Sequence, residues 1–457
     1  MKIILSLDIG TTKISALALS VETLQPLAVI SAPNSAAVPG LPPERHEQNP
    51  LRIRDDCLNL LSALPGNDAV HTDAVVGIAI SGQMHGVLLA DSSLMCLTNL
   101  ITWRDRRTVG FDGPDNAEET GSRLCAGYGG VTLNWLVKNG ALPRDAVALT
   151  IADYIAASLT GKIATEPTHA ASWGIFSLRN NRWDAALIEH LGIPRTALPE
   201  IRPSSRPLEK LSAETAGALG LSPEVMVCSP LGDNQAAFVG AAGFSGDAAV
   251  VNIGTGAQVS IPQKKFTYVK PFETRPMPFG GFILVGASLC GGWAYEYLKD
   301  FFGATVRGIA GIELDDNAIY ERMNALAEKA GEMTGLLADT RFSGTRSDPR
   351  VRGSISNIDT GNLAPGNLAR AFTTGIVREL ADIMSDAGIA NREHVIACGN
   401  AVRKNPLITR VIGRIFGVPC FVGQIQEEAA LGAAYAAAVG MELVSADEIR
   451  PRLEAAQ

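Results

Sequence analysis

Two short segments carry residue types that could bind a phosphate group. Residues 8–12 read Asp-Ile-Gly-Thr-Thr and residues 252–256 read Asn-Ile-Gly-Thr-Gly, each at the end of an apolar run. Glycine lets the backbone approach phosphate oxygens closely, and threonine adds a hydroxyl donor beside the backbone N–H groups. Asp8 could also hold a magnesium ion through water. Two ordinary Gly-Thr hairpins would show the same residues, but their pairing about half a chain apart favours a phosphate site.

One carboxylate near the middle of the chain is a candidate for proton transfer. Asp233 follows the short apolar strand predicted at Val225–Cys228, and a helical run, Gln235–Ala242, begins two residues later. A carboxylate can act as a general base when it lies within hydrogen-bond reach of the attacking hydroxyl. Asp is also a favoured N-cap residue, so capping the helix at Gln235 is an alternative role for the same side chain.

The predicted elements around these segments repeat along the chain. A strand, a Gly-Thr turn and a returning strand open the chain and recur near its middle, which makes a β-meander at the start of each half. The predicted strands are Ile3–Leu7, Ile14–Leu19, Pro26–Ser31 and Val75–Ile80, then Ala248–Ile253 and Ala257–Ile261. Helical patterns fall at Thr132–Asn139 and Ala152–Leu159, and Ala338–Asn367 is predicted to be a loop or short-strand excursion.

The two halves also end alike. Val225–Gly232 leads to Asp233, and His394–Gly399 leads to Asn400, each as a strand, a glycine and a helix. This agreement predicts an internal duplication and a two-lobed α/β protein. Ligands in such folds bind in the crevice at the carboxyl ends of the strands, so we expect the site in a cleft between the lobes.

Composition excludes several classes of function. The 457 residues carry a net charge of -8 and no Lys/Arg cluster, which argues against nucleic-acid binding. The seven cysteines are scattered without a CxxC pair, which indicates reduced thiols in a cytoplasmic protein. No signal-peptide pattern opens the chain, and the longest apolar stretch, 429–439, is too short to span a bilayer. The P-loop, dinucleotide and HExxH motifs are absent.

Six segments, taken in order, resemble the FGGY carbohydrate kinases of the actin-like ATPase superfamily. The resemblance implies an α/β fold with two actin-like (ribonuclease H-like) lobes and an interlobe catalytic cleft. It implies a sugar-binding N-terminal lobe, 1–243, that ends with the catalytic base, and a nucleotide-binding C-terminal lobe, 244–457. The segments are 8–12 (DIGTT), 81–86 (SGQMHG), 102–107 (TWRDRR), 232–234 (GDN), 252–256 (NIGTG), and 399–401 (GNA) with 405–407 (NPL).

Within this family, four segments resemble the sedoheptulokinase subfamily more than xylulokinases or glycerol kinases. The implied reaction moves the γ-phosphoryl group of ATP to the primary hydroxyl of a ketose, converting sedoheptulose to sedoheptulose 7-phosphate with Mg²⁺ present. Alternatives are a kinase for xylulose, ribulose or a polyol, and an actin-like ATP-binding regulatory protein without sugar turnover. The expected assembly is a monomer or a homodimer, with no nucleic-acid or membrane partner. The segments are 171–176 (ASWGIF), 231–233 (LGD), 287–292 (ASLCGG) and 400–405 (NAVRKN).

The resemblance also implies residue roles. Asp233 is the expected catalytic base, and Asp8 is the expected magnesium ligand. The expected sugar-binding residues are Gln83, Met84, His85, Trp103, Asp105 and Asp233, and Tyr128 lies in a stretch that borders the sugar in relatives. The expected ATP-binding residues are Gly10, Thr11, Thr12, Lys13, Gly254, Thr255, Gly399, Asn400 and Asn405.

Several of these roles have plainer alternatives. His85 could be a core or loop histidine, Trp103 could fill the core, and Asp105 could lie in a solvated turn. Gly399 and Asn400 could form a simple strand-to-helix turn.

The chain also departs from the family pattern twice. Ser15 stands where relatives carry Lys or Arg; Lys13, two residues earlier on the same strand face, is a candidate replacement. The family's Gly-Gly-Gly-Ala turn here reads Cys-Gly-Asn-Ala at 398–401, a change that bears on how the adenosine is held and on selectivity for ATP.

Overall fold

The structure is a computed structural model that describes residues 1–66, 68–332, 334–345, 348 and 350–455. Strands and helices alternate through both halves of the chain. The strands are β1 Ile3–Ile9, β2 Lys13–Ser20, β3 Gln25–Pro33, β4 Glu47–Gln48, β5 Val75–Gly82, β6 Leu88–Ala90, β7 Leu100–Ile101, β8 Val147–Leu149, β9 Phe176–Ser177, β10 Arg182–Trp183, β11 Pro207–Lys210, β12 Met226–Cys228, β13 Leu231–Gly232, β14 Ala248–Ile253, β15 Ala257–Gln263, β16 Glu273–Pro276, β17 Phe282–Ser288, β18 Leu337–Asp339, β19 Ser354–Ser356, β20 His394–Cys398, β21 Cys420–Gly423 and β22 Leu453–Ala455. The helices are α1 Pro50–Ala63, α2 Ala117–Thr120, α3 Gly129–Lys138, α4 Ile151–Thr160, α5 Pro167–Ser172, α6 Ala185–His190, α7 Ala213–Leu219, α8 Asp233–Ala242, α9 Gly292–Ala310, α10 Asp316–Lys329, α11 Pro365–Asp386, α12 Asn400–Lys404, α13 Pro406–Phe416 and α14 Glu428–Gly440.

Each half builds a mixed sheet, and five strands of the two sheets follow the same order along the chain and across the sheet. The first sheet has the order β11-β12-β5-β1-β2-β3, and the second has the order β16-β17-β15-β14-β20-β21-β22. In both, an antiparallel meander is extended by two parallel strands and then by an antiparallel edge strand. Strands β1, β2, β3, β5 and β12 thus correspond to β14, β15, β17, β20 and β21. The predicted internal duplication and two-lobed α/β fold are confirmed.

The predicted elements agree with the structure except at some boundaries. The helix expected to start at Gln235 begins at Asp233, with Gly232 as its N-cap, so Asp233 is not the N-cap residue that the alternative interpretation required. The 338–367 segment contains the β18–β19 hairpin, as expected, but its last three residues already belong to α11. Residues 346, 347 and 349 of that segment lie outside the described residues.

The last helix of each half lies between the two sheets. Helix α14, from the end of the second half, packs on the first sheet, where its alanine-rich face meets side chains such as Ile4, Leu17 and Leu19. Helix α8, from the end of the first half, contacts the second sheet through Phe238 and Ala241. Each lobe therefore packs a helix on the sheet of the other lobe. The domain boundary at residue 243 remains a prediction.

Small residues let α8 and α14 touch at backbone distance. A Cβ atom on Gly432 would lie 1.8 Å from the carbonyl oxygen of Ala236, and one on Gly240 would lie 1.9 Å from that of Glu428. No side chain fits at either position, because interiors are close-packed and a backbone atom cannot rotate away. This contact sets the position of the first residue of each helix.

The described residues contain neither a membrane-spanning helix nor a disulfide. Among the helices of the described residues, none combines the length and apolar character needed to cross a membrane. Within the same residues, the seven cysteines form no disulfide.

The helix contact leads to a stability prediction. Replacing Gly432 with alanine should lower the free energy of unfolding by at least about 1–3 kcal/mol, because overpacking here forces two backbones apart. Chemical unfolding followed by circular dichroism measures this change. Gly217→Ala in α7 is the matched control, since a Cβ there meets nothing within 4 Å; it should be neutral or add about 0.5–1 kcal/mol. Equal stability of the two variants would contradict the packing account.

Candidate active site

Asp233 lies at the start of α8, where the chain leaves the first sheet. Its backbone neighbour Gly232 donates its N–H to Thr168 Oγ1 at 2.8 Å. The Thr168 hydroxyl in turn donates to the fully buried Glu166, which also accepts a hydrogen bond from Ser204. A buried polar network of Thr168, Glu166 and Ser204 therefore holds the backbone next to Asp233 in place. None of these three residues was among the predicted site residues.

Three carboxylates from different elements converge at this point. Asp8 is the next-to-last residue of β1, Asp233 begins α8, and Glu427 is the N-cap residue of α14. The negative charges of Asp233 and Glu427 both act on Asp8, and the Ser81 hydroxyl donates to Asp8 Oδ1 at 2.9 Å. The helix contact and the β1–β5 pairing thus bring together groups that are distant in sequence.

The pKa values of two of these acids are raised by their surroundings. Burial raises the pKa of Asp8 to about 7, and the neighbouring Asp233 adds to the rise. Burial raises the pKa of Asp233 to about 6, while the positive charge of Arg275 and the N–H of Asn234 pull it down. A base whose pKa lies near the working pH transfers protons most effectively, so Asp233 has the properties of a general base.

The first Gly-Thr turn is connected to the predicted sugar residues by hydrogen bonds. Thr11 Oγ1 donates to Gln83 Oε1 at 3.0 Å and accepts from the Trp103 indole at 3.0 Å. Gln83 is buried and donates to Gln48, whose amide donates to the Thr11 carbonyl. Trp103 is 43% exposed, so the core-filling alternative for this residue is wrong. Thr12 is exposed beside this turn.

The second Gly-Thr turn is surrounded by the N-termini of two helices. The backbone N–H of Gly292 donates to the Gly254 carbonyl at 2.7 Å, and that of Gly291 donates to the Thr255 carbonyl at 3.0 Å. Gly399 has a φ of 95°, and a Cβ on it would lie 2.5 Å from the carbonyl of Ile253. Thr255 remains exposed. Gly291 and Gly292 were not among the predicted site residues, although the double glycine after a strand was a usable signal.

Asn400 and Asn405 occupy different surroundings after Gly399. Asn400 is exposed as the first residue of α12. Asn405 is buried and caps α13, accepting the N–H of Leu407 at 3.1 Å. Their predicted contacts with adenosine remain predictions.

Lys13 and Ser15 point to the same side of β2, as the strand alternation predicts. Both contact the carboxylate of Glu427, Lys13 Nζ at 2.6 Å and Ser15 Oγ at 2.8 Å. Lys13 thus lies on the same strand face as Ser15 and pairs with Glu427, and its replacement of the usual basic residue toward phosphate remains a prediction. Glu427, which pairs with it, was missed because no local motif surrounds it.

A small cavity lies beside Asp233 and is lined from both lobes. Met84 packs against Gly232 in its floor. His85 has a φ of 71°, and its Nδ1 donates to the Ser172 carbonyl at 2.7 Å. The His85 ring stacks on Tyr128 with centroids 4.4 Å apart. The lining residues are Met84, His85, Ser122, Thr168, Ala171, Ser172, Glu273, Thr274 and Arg275.

Asp105 has different surroundings from the other predicted sugar residues. It is 1% exposed, so the solvated-turn alternative is wrong. Its carboxylate accepts the backbone N–H of His46 at 2.8 Å and pairs with Arg107 Nε at 2.8 Å. These bonds hold the 102–107 segment in place; direct contact of Asp105 with a sugar remains a prediction.

Comparison with known proteins identifies the family. Residues 3–240 match the N-terminal domain of the FGGY family of carbohydrate kinases, and residues 249–441 match its C-terminal domain. The chain is 29% identical to mouse (Mus musculus) sedoheptulokinase, covering 94% of this chain and 96% of that protein. It is 28% identical to glycerol kinase of Thermus brockianus, covering 98% and 92%.

A solved structure agrees with these matches. The fold superposes on xylulose kinase from Rhodospirillum rubrum with a TM-score of 0.87 at 21% identity, covering 100% of this chain and 93% of that chain. The actin-like fold expected for two duplicated lobes is thus confirmed. The two matched domains together account for nearly all of the described chain, and the protein therefore belongs to the FGGY family of carbohydrate kinases, enzymes that phosphorylate an alcohol group of a sugar with ATP.

Proposed function

We propose that this kinase phosphorylates the primary hydroxyl of a ketose, and that the ketose is sedoheptulose, yielding sedoheptulose 7-phosphate. The observation that carries the chemistry is the desolvated carboxylate of Asp233, which adjoins Asp8 of the phosphate turn and the cavity lined by Met84 and His85. The mouse relative supports the choice of sugar.

In this proposal the two lobes divide the work. The ionised Asp233 accepts the proton of the primary hydroxyl as its oxygen attacks the γ-phosphorus. The turns at Gly10–Lys13 and Gly254–Thr255 hold the phosphate chain, with Gly399, Asn400 and Asn405 toward the nucleoside. Phosphoryl transfer requires positioning and charge stabilisation more than covalent help, so the geometry of these turns supplies much of the rate.

The residues present fit a magnesium ion. Within the described residues, no group of three or more His, Cys, Asp or Glu side chains is arranged as a metal cage. Mg²⁺ ordinarily keeps several waters and binds through one or two carboxylates together with substrate phosphates, so the single carboxylate of Asp8 suits it. Burial, and after it the charge of Asp233, raises the pKa of Asp8, and a cation beside Asp8 would favour its charged form. When bound with ATP, the ion would neutralise charge on the phosphates.

Two other functions are kept as alternatives. The similarity to a glycerol kinase supports a kinase for another sugar or a polyol. An actin-like ATP-binding regulator without sugar turnover would have no use for a desolvated carboxylate beside a cavity lined by polar and charged side chains, so the site favours an enzyme.

A substrate panel tests the proposed function. We expect ADP release to be stimulated most by sedoheptulose among C3 to C7 polyols and ketoses, including glycerol, ribulose and xylulose. A coupled assay with ATP and Mg²⁺ measures this stimulation. Greater stimulation by a shorter substrate would show that sedoheptulose is not the preferred substrate. ADP release that no sugar stimulates would favour the ATP-binding regulator.

Removing the base tests its role. Asp233→Asn should lower kcat by about 10²- to 10⁴-fold, because the amide cannot accept the proton, while binding of ATP is largely kept. Steady-state kinetics with ATP titration measure both effects. Asp316→Asn is the matched control, since Asp316 is likewise the first residue of a helix but lies on the surface of the second lobe. Comparable kcat values for the two variants would remove Asp233 from the mechanism.

The same variant tests the electrostatics without any substrate. The folded pKa of Asp233 is about 6 against an ordinary 3.8, so its ionisation destabilises the fold increasingly from about pH 4 to about pH 6, with the full cost above that range. Asp233→Asn should therefore be more stable than the parent by about 1–3 kcal/mol at pH 8, and the advantage should shrink toward pH 4. Urea unfolding at the two pH values measures it; an advantage independent of pH would argue against a desolvated carboxylate.

A further inference from the structure

Strand β16 carries part of the second lobe into the first. The Thr274 N–H donates to the Gly121 carbonyl at 2.8 Å, across the lobe boundary. Gly121 has a φ of 80°, and a Cβ on it would lie 2.4 Å from the Thr274 carbonyl, so the approach needs a glycine. Side chains alternate along a strand. With Thr274 in the middle, Glu273 and Arg275 share a face, and both line the cavity beside Asp233.

Glu273 and Arg275 form an ion pair within the cavity wall. Arg275 Nη2 lies 2.7 Å from Glu273 Oε2, and the two side chains are only 12% and 14% exposed. Glu273 Oε1 accepts the Tyr128 hydroxyl at 2.8 Å, and Tyr128 stacks on His85. At the other end, the positive charge of Arg275 acts on Asp233. The pair thus extends along the wall from the base to the aromatic rings.

The chemistry of this wall suits a polyhydroxy chain. An ion pair taken out of water is costly unless its remaining donors and acceptors are used. Guanidinium has five N–H donors, of which Nε and Nη2 of Arg275 serve Glu273. Charge-assisted hydrogen bonds to sugar hydroxyls would use that capacity. A ketose extending from Asp233 would pass along both side chains.

We propose that Glu273 and Arg275, contributed by the second lobe, bind sugar hydroxyls beyond the reacting one and select the longer ketose. The inference rests on the proposed sugar-kinase function and names the residues that determine its substrate. The pair belongs to the lobe that is expected to hold the nucleotide. With this pair, residues from both lobes would contact the sugar.

The test uses Arg275→Met and Glu273→Gln in the full chain. Each should raise KM for the preferred ketose by about 10- to 100-fold, since each removes a hydrogen bond to a charged group. The KM for ATP should stay within about two-fold, because the proposed contacts are with the sugar alone, whereas a smaller folded fraction would lower the apparent kcat and leave both KM values unchanged. The penalty should be larger for a C7 ketose than for glycerol, which cannot reach the whole wall. Kinetics over the substrate panel, with melting temperatures for each variant, measure this.

Arg341→Met is the matched control. Arg341 pairs with Asp339 two residues earlier in the same lobe, at 2.6 Å, and does not line the sugar cavity; its KM values should equal those of the parent. If Arg275→Met fails to fold, Glu273→Gln decides, because it preserves shape. Sugar KM values within about two-fold of the parent in a folded variant would overturn the inference while leaving the kinase intact. A parent enzyme that phosphorylates no sugar would instead defeat the proposed function and this inference together.

Discussion

The contact between α8 and α14 is the constraint on which the site depends. At Gly240 and Gly432 each helix presents bare backbone to the other, so their separation cannot change without opening the interior. The N-termini of the same helices bear Asp233 and Glu427, and β1 brings Asp8 to meet them. The acids converge because two helices that end the two halves of a duplicated chain are packed against each other and against the opposite sheets.

That convergence is electrostatically unfavourable in the protein alone. Asp8 and Asp233 each have a raised pKa because they have left water, and each charge makes the other less favourable. Lys13 offsets part of the charge by pairing with Glu427. Such a site costs stability, and it is maintained by the surrounding network of Thr168, Glu166 and the helix contact. In the proposed mechanism, a magnesium ion at Asp8 and the proton that Asp233 accepts would both relieve this unfavourable charge.

The cleft is built by exchange between the lobes. Helix α14 lies on the first sheet, helix α8 reaches the second, and β16 docks on Gly121 through its backbone. Each lobe therefore completes a part of the other's site. A boundary near residue 243 separates the two halves of the sequence. It does not separate their packing, because α8 and α14, the last helices of the two halves, each pack on the sheet of the other half.

The sequence by itself determined the duplicated strands and the two Gly-Thr turns, because strand alternation and glycine turns are local properties that a few adjacent residues specify. It also singled out Asp233 as the base, a role that stays a prediction. The tertiary structure decided where α8 begins, that Trp103 is exposed and donates a hydrogen bond to Thr11, and that Asp105 pairs with Arg107 in the interior. It alone disclosed Glu427, Glu273 and Arg275. These residues sit in no local motif, and they reach the site through contacts between elements more than a hundred residues apart. Such contacts depend on how helices and strands pack together, which short-range sequence patterns do not encode.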